Sequence, residues 1–383
     1  MKYTREPLQL HNPLEFWMNF PGAERVFWVD RQSDRVVVGA ERLATVRDEE
    51  DRQNYEYVFY GETFFETVRD EKWQGLGDEM VAFRHYYIVE NGESFYLHAE
   101  EAKTIERFDI PDVRHDYHES SDDFEDWQQL FGAIQRDIKS GHVKKVVGSR
   151  EAEFTCDTEF NVPSMLNKLV DNNPGCFIFA YEKDGRTFLG ASPEILVRHR
   201  GKEILSYALA GTAPKEGEDR RTADELLHDP KNLFEHGIVT DAIVDNMKEI
   251  TSKITVGETG IMELKHLYHL RTTITAEDDT LSLVEWGKRL HPTPAMGGEP
   301  RERALQILKD HERHERGMYA APFGFMKDMG DGILVVGIRS ALVIGPKLYA
   351  YAGCGIVEQS NVNEEYRETR NKMKTIVEAL YYE

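Results

Sequence analysis

The sequence predicts an α+β protein in which helices lie outside packed, largely antiparallel β-sheets. Three observations predict it. The first hundred residues alternate short apolar runs with charge, the pattern of successive strands. Beyond residue 125, strand pairs alternate with helical stretches, which suits helices layered on sheets. Hydrophobic residues make up 40% of the 383-residue chain and charged residues 30%, too apolar a balance for disorder.

The elements follow in order. "ERVFWVD", "RVVVGA", "YVFYGETFF", "MVAFRHYYIVE" and "ESFYLHAE" read as strands. The acidic stretch "RHDYHESSDDFEDW" (114–127) reads as a loop with a helix start near "SSDDFEDW", and it divides an N-terminal β-rich segment, 1–124, from the remainder, 125–383. A helix "DWQQLFGAIQRDIKSG" stops at Gly141. In "VKKVVGSR" (143–150), Val146 and Val147 belong inside a buried strand, with Gly148 and Ser149 as a bulge or break. A helix near "VPSMLNKLVDN" and the strands "CFIFAYEKD" and "TFLGASPEILVRHR" come next. The helix "DPKNLFEHGIVTDAIVDNMKEIT" opens with Asp229 as N-cap and Pro230 at its first position. Late strands "GILVVGIRSALVIG" and "KLYAYAGCGIV" precede a closing helix, "NEEYRETRNKMKTIVEALYY".

Bulk properties exclude several functions. Forty-seven Lys+Arg against 69 Asp+Glu leave a net charge of −22, which disfavours nucleic acid and anionic membrane as partners. A small anion remains compatible, because a local cation cluster outweighs global charge within a screening length of about 8 Å. No stretch approaches the roughly 20 apolar residues of a membrane helix, and the first residues show no secretory h-region. Three cysteines without paired spacing disfavour a disulfide framework or zinc site. A cytoplasmic location is expected.

Several polar residues stand out of place. Lys145 heads an apolar strand. Glu235 shares a helix face with Ile238, Val239 and Ala242, so it needs a partner; a neighbouring lysine is the simpler one, a metal ion the other. Glu365, Glu368 and Lys372 fall on one face of the last helix, where a solvated charged face competes with a Mg²⁺ site. Arg339 follows "GILVVGI", which puts a guanidinium in or beside a sheet and calls for a bidentate anion. Gly353 and Gly355 interrupt a strand, as a bulge or as a close backbone approach to an anion.

Together, "KVVGSR", "GASPEILV", "ALAGTAP", "DPKNLFEH", "HLRTTI", "LHPTPAMGGEP", "RGMYAAPFGF", "VGIRSA", "AGCGIVEQSN" and "EEYRETRNKM" resemble the chorismate-binding enzyme family, in that family's order over roughly residues 125–383. The whole chain looks most like its isochorismate synthases, and "RGMYAAPFGF" leans toward those of menaquinone biosynthesis. The resemblance implies a single large domain of two packed sheets flanked by helices, with the site between the sheets. It implies Lys145 as general base and Glu194 as general acid. Glu235 and Glu368 would hold Mg²⁺, with Glu365 supporting it. Gly211, Thr212, His269, Tyr319, Arg339, the Gly353 backbone and Lys372 would bind chorismate.

Members of the family differ in their nucleophile. Those that resemble anthranilate synthase deliver ammonia and lack the lysine; those that use water carry it. Lys145 therefore implies water, and no fused amidotransferase segment is present, so an independent, monomeric enzyme is expected. Water attack at C2 with loss of the C4 hydroxyl needs an acid that is protonated at neutral pH, which burial of Glu194 would provide. A salicylate synthase, which goes on to eliminate pyruvate, is the first alternative. Ala295 stands near the position where that branch tends to carry threonine, which favours stopping at isochorismate. An aminodeoxychorismate synthase-like subunit and a catalytically silent binding protein are the remaining alternatives. Menaquinone and siderophore pathways are both open.

Overall fold

The computed structural model describes residues 2–120, 123–217, 220–327 and 330–381. The expected strands and helices form largely where the apolar patterns place them, and the ladders among the described residues are antiparallel. One half of the ladder runs Thr4–Pro7, Glu93–His98, Glu79–Glu90, Arg35–Val46, Arg25–Asp30, Phe177–Lys183, Arg186–Ser192, Ser340–Ile344, Lys347–Ile356 and Lys145–Cys156. The other runs Tyr57–Gly61, Pro322–Lys327, Gly332–Val336, Ile195–Arg200, Glu203–Pro214 and Leu267–Glu277.

The two expected sheets are thus two halves of one continuous ladder. Glu79–Glu90 has 12 residues, long enough to serve two neighbours along one edge. Its start pairs with Phe59–Gly61 and its end with Glu93–His98. The halves then fold face to face around aromatic side chains. Phe179 meets Phe323 with ring centroids 4.3 Å apart, Phe59 meets Tyr181 at 4.7 Å, and Trp28 lies edge-on to Phe323 and Phe325. Such rings bury large apolar areas and prefer these tilted geometries. On the outer face of the first half, helices Leu14–Met18, Val162–Asn172 and Val362–Val377 cover a second apolar layer that includes Trp17, Leu166, Ile178 and Ile376.

Two long apolar runs break where the sequence reads straight through. "TFLGASPEILVRHR" becomes two strands, Arg186–Ser192 in one half and Ile195–Arg200 in the other, with Glu194 in the step between them. "GILVVGIRSALVIG" breaks likewise into Gly332–Val336 and Ser340–Ile344. Arg339 is therefore not a strand residue: it sits in the second step with a left-handed φ of 51°. The steps lie side by side, since the Val336 amide donates to the Glu194 carbonyl and the Ala191 amide to the Arg339 carbonyl. A Cβ at Gly190 would come within 2.5 Å of that Arg339 oxygen, so glycine permits the approach.

Within the segment expected to be a loop, Tyr117–Glu119 forms a short strand against Phe154–Cys156. Residues 121 and 122, in the expected helix start, lie outside the described residues; the helix itself runs Phe124–Lys139.

Candidate active site

Lys145 opens its strand beside Glu299 on one edge, and the same strand pairs along its other edge with Lys347–Ile356. That ladder runs in register through Gly148, Ser149, Gly353 and Gly355, so none of these residues forms a bulge. The glycines answer to crowding. A Cβ on Gly355 would lie 2.1 Å from Glu235 Oε1 and 2.6 Å from Lys145 Cε, and one on Gly353 would meet the Gly148 carbonyl and the Tyr319 hydroxyl. Gly355 thus leaves room for the Lys145–Glu235 ion pair, Nζ to Oε1 2.9 Å, with Lys145 only 1% exposed. The lysine partner that the helix face alone favoured for Glu235 is Lys145 itself.

Glu235 is delivered by helix Pro230–Lys248, capped by the Asp229 carboxylate accepting from the Asn232 amide. The helix docks through a kink in strand Glu203–Pro214, whose register slips between Leu209 and Thr212 at Gly211, φ 81°. The amide of Thr212 donates to Asn232 Oδ1, and His236 Nδ1 donates to the carbonyl of Ala210. His236 Nε2 in turn accepts from the Thr272 hydroxyl. Burial, followed by the charge of Lys145, pushes His236 down to about 4, so the ring is neutral.

Glu194 is completely enclosed. Burial raises its carboxyl to about 8, against the opposing pull of Lys145, Arg339 and Lys372. It is protonated at neutral pH, the state expected of an acid. Arg339 Nη2 lies 2.8 Å from His269 Nε2. Arginine only donates, so this nitrogen accepts, and the ring proton sits on Nδ1, 3.0 Å from Thr212 Oγ1. Burial and then the neighbouring Arg339 and Lys372 hold His269 well below its usual range. The histidine thus orients the guanidinium without neutralising it. Tyr319 stacks on Tyr351 with centroids 5.3 Å apart, and Lys372 Nζ donates to the Gly353 carbonyl.

Lys145, Glu194, Gly211, Thr212, Glu235, His269, Tyr319, Arg339, Gly353 and Lys372 all line one small cavity of about 50 Å³. Ala295, Met296, Leu209 and Ile338 complete its apolar wall. Glu365 and Glu368 stand behind it on helix Val362–Val377, Glu368 paired with Lys372 at 2.6 Å and Glu365 with Lys231 at 2.6 Å. Burial first, and then the charge of Glu368, pushes the Glu365 carboxyl up. The three carboxylates are oxygen donors of the chemical kind Mg²⁺ takes. Among the described residues, no three acidic, histidine or cysteine side chains are grouped to hold an ion, and each of these carboxylates is paired with a lysine.

Lys231 was not singled out from the sequence. Its signal was the i, i+4 spacing to Glu235, which a solvated ion pair on a helix surface shares. A wider cleft of about 1390 Å³ lies beyond Arg316, which lines it and donates to the Val147 and Met296 carbonyls beside the small cavity. None of the residues singled out above lines that cleft; Lys145, Glu194 and Arg339 all face the small cavity instead.

The family described as chorismate binding enzyme matches residues 52–381. The chain belongs to the chorismate-binding enzyme family. The match takes in every residue of the cavity and reaches well into the N-terminal segment. Isochorismate synthase MenF of Bacillus subtilis (strain 168) is 37% identical over 263 residues, covering 67% of this chain and 56% of that protein. The salicylate biosynthesis isochorismate synthase of Pseudomonas aeruginosa is 36% identical over 261 residues, 66% of this chain and 54% of that one. The alignments thus span about half the length of these relatives. The solved structure of MenF, the menaquinone-specific isochorismate synthase from Escherichia coli, superposes with a TM-score of 0.85 over 99% of this chain and 94% of its own, at 22% identity. The chorismate-binding fold is shared throughout. Among the described residues, no helix is long and apolar enough to cross a membrane.

Proposed function

We propose that the protein is an isochorismate synthase, an isomerase that converts chorismate to isochorismate. The observation that carries this reading is a buried lysine and a carboxyl held protonated at neutral pH on the walls of one cavity, beside a buried arginine oriented by His269. Chorismate is a dianion with a hydroxyl at C4. Lys145 first gives up the proton it carries in its pair with Glu235; water then attacks C2 and gives a proton to Lys145 Nζ, the ring double bonds shift, and the C4 hydroxyl leaves as water with the proton of Glu194. One water enters and one leaves; the base gains a proton, the acid loses one, and solvent resets both. Hydroxide leaves poorly, so the raised Glu194 carboxyl is what lets departure proceed near neutral pH.

Arg339, Lys372 and the Gly353 backbone offer donors and positive charge to substrate carboxylates, with Tyr319 alongside. A charged His269 would repel Arg339; the neutral ring instead fixes it, and Thr212 fixes the ring. Glu235, Glu368 and Glu365 would hold Mg²⁺, which when bound orients a substrate carboxylate and draws electron density from the ring. We place the reaction in the cytoplasm, carried out by a monomer without an amidotransferase partner, with the product feeding menaquinone or siderophore synthesis.

The test is product analysis on purified protein given chorismate and Mg²⁺. Isochorismate without pyruvate is expected. Pyruvate with salicylate makes the protein a salicylate synthase, an aminated product formed with ammonia makes it an aminodeoxychorismate-type subunit, and no turnover leaves a binding protein.

A further inference from the structure

Three carboxyl groups pair with three lysines at the cavity wall and behind it. Glu235 is held by Lys145 at 2.9 Å, Glu368 by Lys372 at 2.6 Å and Glu365 by Lys231 at 2.6 Å. Lys231 differs from the other two lysines. It does not line the cavity, and its side chain is 27% exposed against 1% for Lys145 and 12% for Lys372. It also feels all three carboxylates. The charges of Glu365, then Glu368, then Glu235 act on it. One helical turn places it before Glu235, and its reach across to helix Val362–Val377 makes it the cation between the two acidic helix faces.

We infer that the Lys231 ammonium is a built-in occupant of the divalent-cation seat, and that a metal ion binds there by displacing it from Glu365 toward solvent. This rests on the Mg²⁺ reading of the preceding subsection and adds a residue to it. The physical reason is charge. Each of the three carboxyl groups already has an ammonium partner, so a further double positive charge in a largely enclosed place is opposed unless one ammonium leaves. Lys145 and Lys372 are held at the cavity wall. Of the three, Lys231 is the most exposed while still in contact with a carboxylate. Its side chain therefore serves two ends: it keeps the carboxylates from repelling one another, and it sets the threshold at which a divalent ion is taken up.

The experiment pairs calorimetric titration of Mg²⁺ with thermal melting, on wild-type protein, Lys231→Met and Lys231→Gln, after chelator treatment. Both variants should bind Mg²⁺ roughly tenfold more tightly, the scale of one lost ion pair. Each should melt below wild type in chelator, with the gap closing at saturating Mg²⁺. Unchanged or weaker Mg²⁺ binding in the variants, or a melting deficit that Mg²⁺ does not reduce, overturns the inference and leaves Lys231 as a structural ion pair or a substrate contact. If wild type itself shows neither binding heat nor a Mg²⁺-dependent shift, the metal reading fails and this inference fails with it. Should Lys231→Met not fold, Lys231→Gln decides, since it removes the charge while keeping polar reach.

Discussion

Glu194 and Lys145 face each other's requirements across a few side chains. In the proposed reaction the carboxyl must keep a proton and the amine must be able to take one. The carboxyl is raised to about 8 in the folded chain, against an ordinary value of about 4.3. Between those values the unfolded chain has released a proton that the folded chain retains. The unfolded state then binds fewer protons, so stability falls as pH rises from about 4.5 to 8, and the loss is complete above that. Glu194→Gln removes this liability. In urea titrations it should match wild type near pH 4 and exceed it at pH 8, by up to about 5 kcal/mol. Activity should move the other way: wild-type kcat declines as pH passes about 8, and the glutamine variant is inactive at every pH. A stability difference that does not grow with pH would remove Glu194 as a buried proton donor.

At the scale of elements, the site depends on how helix Pro230–Lys248 is seated. The kink at Gly211 turns the Ala210 carbonyl and the Thr212 amide toward the helix, where His236 and Asn232 meet them. His236→Ala leaves the Ala210 carbonyl and the Thr272 hydroxyl without the ring and opens a void. It should cost about 2–4 kcal/mol in a denaturant melt. It should also lower kcat/KM, because Glu235 is the adjacent residue. Full activity in a destabilised variant would show that Glu235 is positioned by the ladder and not by this clamp. Much of this element was legible in advance: the Asp229 cap, the Pro230 start and the apolar face around Glu235 all follow from local pattern. The kink was not, because "ALAGT" is a smooth apolar run and nothing local says which helix its backbone must meet. Lys231 escaped for a related reason. A lysine in the first turn of a helix looks solvated until a second acidic helix is brought against it.

At the scale of the molecule, the N-terminal segment is part of the ladder that carries the cavity. Arg25–Asp30 pairs with Phe177–Lys183, and Tyr57–Gly61 pairs with Pro322–Lys327, so strands from before residue 125 sit inside both halves. A fragment of residues 125–383 would expose those partner edges and the aromatic faces of Phe179 and Phe323. It should show no cooperative thermal transition and should aggregate; a sharp, reversible melt of that fragment would make the N-terminal segment dispensable.

The sequence by itself determined the elements, the caps and, through ordered motifs, the family and the residues that gather at one cavity. Those are properties of short stretches, where periodicity and residue chemistry are local. Only the tertiary structure decided that the two sheets are one ladder, that the apolar runs around Glu194 and Arg339 break to cross between its halves, and that Gly355 is bare to admit the Lys145–Glu235 pair. The reason is common to all three. A strand's apolar pattern records that it is buried but not which neighbour buries it, and partners more than a hundred residues apart meet only when the chain closes.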